Sequence, residues 1–197
     1  MTSAHTCAFA ATVLVLALVA TPLAQGGGGN MPGRGGNMPG PAASGSLAGD
    51  IQADWAAQKD LILKAANAMP ADRFDAKPTP PQQTFGERLM HIVQVNAMLY
   101  RTLGGKAAPP TINMQARQKA DVMMALQQSF DYGEALIKEF NDQQWIERVM
   151  PPRFLGPTAS RARIIYFTMV HTEDIYGQLV VYLRLNGVTP PASNRGV

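Results

Sequence analysis

Along four stretches of the chain, apolar residues return every three or four positions, the period of an amphipathic helix. In the first stretch Ile51, Trp55, Ile62, Ala65 and Met69 share one face, with Asp54, Lys59, Asp60 and Lys64 mostly off it, and Pro70 ends the run. Residues 70–83 contain Pro78, Pro80 and Pro81, through which no helix continues. The second helix is predicted over residues 84–103. Thr84 and Glu87 stand three apart as a capping box, in which the hydroxyl takes the Glu87 amide and the carboxylate returns to the Thr84 amide. Phe85, Leu89, Ile92, Val93 and Leu99 form its apolar face, and Gly104-Gly105 is the stop.

The third helix is predicted over residues 114–140, with Val122, Leu126, Phe130, Gly133, Ile137 and Phe140 on one stripe. Glycine inside a helix costs about 1 kcal/mol against alanine, so a close approach by another helix is expected at Gly133. Residues 141–157 read as a loop, with Trp145 plugging the bundle end. The fourth helix covers residues 159–186, capped by Thr158 or Ser160. Ile165, Met169, Thr172, Tyr176, Leu179 and Leu183 face one way, and Gly187 follows as the stop. Arg184 stands where a cation meets the negative end of the helix dipole. No run alternates as a strand does. Four amphipathic helices joined by loops predict an all-α four-helix bundle.

The N-terminus adds two segments. Residues 8–20 (AFAATVLVLALVA) are uncharged and apolar. As a helix they would span only ~20 Å, short of the roughly 30 Å hydrocarbon core, which suits the apolar region of a secretory signal peptide. The residues before them hold no Lys or Arg, but small residues follow at Ala20, Ala24 and Gly26. A signal peptide is therefore expected over residues 1–25, with export to the periplasm or the medium. Gly and Pro dominate residues 26–46, where GGNMPG occurs twice, and a linker without a core is expected there. The bundle then occupies 47–191, and 192–197 form a tail.

Composition narrows the function classes. The net charge is +3, and Lys and Arg are scattered among Asp and Glu, so no nucleic-acid partner is expected. After signal cleavage no membrane span is expected either. Cys7, the single cysteine, falls inside the signal segment. The mature protein would then lack disulfides, thiolate ligands and cysteine nucleophiles. No phosphate-cradling glycine loop and no Ser-His-Asp pattern is found.

Candidate chemistry centres on His91 of the second helix and His171 of the fourth. Glu87, Arg88, Gln94 and Val95 share the side of His91; Phe167, Asp174, Ile175, Gln178 and Tyr182 share that of His171. The stretch PTPPQQTFGERLMHI, followed by MVHTEDIYGQLVVYLRLNGVTPP, resembles the DinB-like (DinB/YfiT superfamily) four-helix bundles over the whole domain. The resemblance implies a divalent metal held by one histidine on helix two and two histidines four apart on the last helix. It also implies thiol-dependent transferase or metal-dependent hydrolase activity in some members. His91 and His171 match two of those ligands, whereas position 175 is Ile175. Isoleucine cannot ligate. Asp174, next to it, is the candidate replacement, with Glu173 behind it, since two histidines and a carboxylate also bind metals. A shift of one residue turns a helical side chain by about 100°, so Asp174 would approach from another direction.

Two function classes follow. One is an exported bundle that binds a small molecule or a protein partner without catalysis. The other is a hydrolase or transferase dependent on zinc or nickel, using His91, His171 and an acidic third ligand. A homodimer is compatible with either.

Overall fold

The computed structural model describes residues 45–193. The signal peptide and nearly all of the linker expected over residues 1–46 lie outside the described residues, as do the last four residues of the tail. Four long helices carry the fold: α1 (Leu47–Ala68), α2 (Phe85–Tyr100), α3 (Lys119–Ile137) and, after a short α4 (Asp142–Ile146), α5 (Arg161–Leu185). Helix α2 packs on α3 and α5, and α1 closes the bundle against the same two helices. Trp55, Ile62, Phe85, Leu89, Ile92, Leu126, Phe130 and Leu179 are fully buried between them. The expected all-α bundle is thus the observed one. Among the described residues no helix is long and apolar enough to cross a membrane.

Helix starts follow their caps. Ser46 accepts from the Gly49 amide at 3.1 Å and opens α1. At α2 both halves of the predicted capping box form: the Glu87 amide donates to Thr84 Oγ1 at 3.1 Å, and the Thr84 amide donates to Glu87 Oε2 at 2.8 Å. The bond from the Thr84 amide, foremost among its surroundings, holds the Glu87 carboxyl below its usual range. A Thr84→Ala protein should lose about 0.5–2 kcal/mol of stability in denaturant melts, the usual cost of removing a hydroxyl cap. An unchanged midpoint would mean that α2 does not depend on this start.

Besides the end of α3, at Ile137 and not at 140, three differences from expectation stand out. Helix α3 begins at Lys119, not at 114, because Asn113 folds the preceding chain into a turn. Its Oδ1 accepts from the Gln115 amide at 3.0 Å, and its carbonyl accepts from the Ala116 amide at 3.2 Å. Lys119 then reaches back to the end of α1, donating to the carbonyls of Asn67 and Met69 at 2.7 Å each. That places a cation at the negative end of the α1 dipole. Helix α2 ends at Tyr100, and a turn through Leu103 leads to Gly104, whose φ of 74° is left-handed.

The third difference lies in the predicted loop 141–157, which holds α4 and one arm of a small antiparallel ladder. Strand β1 (Arg148–Val149) pairs with β2 (Ala159–Ser160), Arg148 opposite Ser160. Trp145 plugs this end as expected, fully buried with its ring 5.2 Å from that of Phe140. Arg161 ties the end together: it donates to the Leu103 carbonyl at 2.7 Å, the Gln144 carbonyl at 2.9 Å and Glu147 Oε2 at 2.6 Å. Of the two caps expected for α5, Ser160 is the one used, accepting from the Arg163 amide at 3.2 Å. At the other end Arg184 stands exposed in the last turn of α5, where its charge faces the negative end of the dipole, and other groups take the last carbonyls. Asn186 Nδ2 donates to the Tyr182 carbonyl at 2.9 Å, and left-handed Gly187 lets the Val188 amide reach the Leu183 carbonyl at 2.9 Å.

Candidate functional site

His91 sits two turns into α2, counted from the start that the capping box marks. His171 sits mid-way along α5. The two helices lie side by side, and the rings meet edge to face, centroids 5.0 Å apart with planes at 78°. Sequence reasoning expected the two histidines to approach across the bundle, and their rings do meet.

The electrostatics of the pair favour neutral rings. Burial, foremost, and the nearby Arg88 charge push the His91 pKa down. His171 is pushed down by burial first and then by His91, with Asp174 pulling the other way and Arg88 adding a smaller push down. The Nε2 atom of His171 is buried and has no hydrogen-bond partner within the protein. The Nε of Arg88 is in the same condition.

The other predicted residues go elsewhere. Asp174 is exposed and accepts from Gln178 Nε2 at 2.9 Å, one turn on along the same helix. Glu173 accepts from Gln58 Nε2 at 3.0 Å, and Gln58 also donates to the Met169 carbonyl at 3.0 Å. Tyr182 is buried, and its hydroxyl donates to the Gln83 carbonyl at 2.6 Å, pinning α5 to the segment that enters α2. Tyr176 is half-buried, and burial raises its pKa. Ile175, one turn after His171, is 1% exposed and belongs to the core. Among the described residues no group of three or more His, Cys, Asp or Glu side chains is arranged to hold an ion. The donors that meet there are two imidazoles, which do not fit the three-histidine set implied by the resemblance.

Two residues of this neighbourhood were not singled out as site residues from the sequence. Gln58 of α1 is buried and polar on an otherwise apolar face. Arg88 stands three residues before His91, close enough along α2 to share its side. That spacing was the one available signal.

The DinB family model matches residues 46–196. Solved structures that share the fold include two DinB-like proteins. A DinB-like protein from Bacillus cereus ATCC 10987 has a TM-score of 0.62 at 16% identity, covering 76% of this chain and 96% of its own. A DinB-like protein from Bacillus subtilis has a TM-score of 0.54 at 14% identity, covering 70% of this chain and 92% of its own. No curated protein matches the chain. A family match over three-quarters of the sequence, on a helical bundle shared with two DinB-like structures, makes the chain a member of the DinB family.

Proposed function

We propose that this DinB bundle binds a small molecule in the cleft between α2 and α5, and that it does so without metal chemistry. The observation that carries the proposal is Ile175. It is buried one turn from His171, on the helix where the family resemblance implies a third nitrogen. Two neutral imidazoles hold a divalent ion poorly, because zinc centres normally take three or four protein ligands. The carboxylate nearest in sequence, Asp174, is engaged with Gln178 in water. Two imidazoles and a guanidinium, two of whose nitrogens are buried without partners, offer the few polar contacts that orient a small ligand.

Elemental analysis of protein purified without a polyhistidine tag tests this. Zinc and nickel are both expected well below one equivalent. Stoichiometric metal that disappears in Asp174→Ala would establish the other class, a metal-dependent hydrolase or transferase with Asp174 as third ligand.

A further inference from the structure

Arg88 differs from the other arginines of the bundle. Arg161, Arg148, Arg101 and Arg117 each donate to a carbonyl or a hydroxyl, and Arg73 is paired with Asp72. Arg153, Arg163 and Arg184 lack such bonds, and all three are exposed to water. Arg88 is half-buried, and its Nε is fully buried without a partner. A guanidinium is always charged, and withdrawing its Nε–H from water without an acceptor is unfavourable. Arg88 stands one turn before His91 on the same side of α2, and the His91 ring meets that of His171 at 5.0 Å, so the unpartnered Nε belongs to the neighbourhood of the histidine pair. The nearby carboxylates do not neutralise it: Glu173 is held by Gln58, and Asp174 by Gln178.

Resting on the ligand-binding role proposed above, we propose that the cleft is a receptor for a small monocarboxylate, with Arg88 as its anchor and His171 Nε2 as a second contact. The charge count favours a monoanion over a dianion, since one guanidinium beside two neutral rings supplies a single positive charge. The geometry of the group favours a carboxylate, because the planar N–H fork of arginine matches two oxygens in one plane. The buried Nε2 of His171 would gain the partner it lacks within the protein. The same guanidinium opposes a divalent cation between the rings, so the feature that recruits an anion also disfavours the metal implied by the family.

Acetate and acetamide, which share a shape and differ in charge, are the probes. The full chain, labelled with nitrogen-15, would be titrated with each while the Arg88 Nε and the His171 ring resonances are followed. Acetate should shift both along a saturating curve, and acetamide should not. Arg88→Met should weaken acetate binding by roughly tenfold or more, the equivalent of losing one charged hydrogen bond. Arg88→Lys, which keeps the charge without the fork, should fall between. If Arg88→Met fails to fold, the acetate–acetamide contrast on the unaltered protein decides alone. Equal responses to the two probes, or undiminished acetate binding in a folded Arg88→Met, would overturn the carboxylate assignment. A parallel zinc titration separates the two levels. Tight stoichiometric zinc would overturn the metal-free role itself, whereas failure of acetate with no zinc uptake removes only the carboxylate.

Discussion

An Ile175→His protein should bind zinc about two orders of magnitude more tightly than the unaltered chain. Four-ligand structural zinc sites are worth ~10–16 kcal/mol, or about 3 kcal/mol per ligand, and 1.4 kcal/mol is a factor of ten in affinity. Position 175 lies one helical turn from His171, so an imidazole there shares its side of α5. The rings of His91 and His171 are already 5.0 Å apart, leaving little reorganisation for the third nitrogen to drive. Stability should respond with opposite signs in the two conditions. Without metal the variant should melt lower, because an imidazole replaces an isoleucine that is 1% exposed, at a cost of about 1–3 kcal/mol for a polar group lacking a partner. With zinc at a hundred times its dissociation constant, mass action should return ~2.7 kcal/mol. Arg88 supplies an internal check: adding Arg88→Met to the variant should tighten zinc further, since it removes a positive charge that acts on both rings. Calorimetric zinc titrations of the three proteins read these effects directly. Equal affinity in the unaltered and Ile175→His proteins would show that position 175 does not face the histidine pair.

Much of the fold was legible because burial in a bundle writes itself at helical spacing. Trp55, Ile62, Leu89, Ile92, Leu126, Phe130 and Leu179 were placed on inward faces by that period, and all are buried. Thr84 and Glu87 fixed the start of α2 by a pairing that needs no tertiary information. The misplaced start of α3 has a local cause of another kind. Apolar spacing says nothing about whether the Asn113 side chain will take a neighbouring amide and turn the chain. The β1–β2 ladder was unreadable because two residues per strand cannot show a period of two. Arg161 and Trp145 anchor the bundle end beside it, contacts that are tertiary and not local. At the cleft, His91 and His171 stood out as residue types, and Ile175 as a departure from a motif. Arg88 became informative only through what its guanidinium lacks, a partner, and an absent contact leaves no trace in a sequence.

The largest stability loss is expected from Trp55→Ala, about 3–5 kcal/mol, as for other large buried aromatic side chains cut to alanine. Trp55 is completely buried, donates from Nε1 to the Phe130 carbonyl at 3.2 Å, and packs on the Phe130 and Tyr100 rings with centroids 5.3 and 5.7 Å away. It also explains the glycine in α3, though not through the helix–helix approach expected from the sequence. A Cβ on Gly133 would stand 2.5 Å from Trp55 Cζ2 and 2.7 Å from the Tyr100 hydroxyl oxygen, so two side chains, and not a neighbouring backbone, require the missing atom. In the unaltered protein Gly133→Ala should therefore destabilise. The ~1 kcal/mol gained in helix propensity is outweighed by overpacking against two fully buried rings, typically 1–3 kcal/mol. With Trp55 already cut to alanine, the nearer obstacle is gone and the Tyr100 ring has room to move. The same Gly133→Ala change should then cost little or even stabilise. The two substitutions should be coupled by about 0.5–3 kcal/mol in a double-mutant cycle measured by denaturant unfolding, as expected for residues in contact. Strict additivity would mean that the tryptophan is not what keeps position 133 without a side chain.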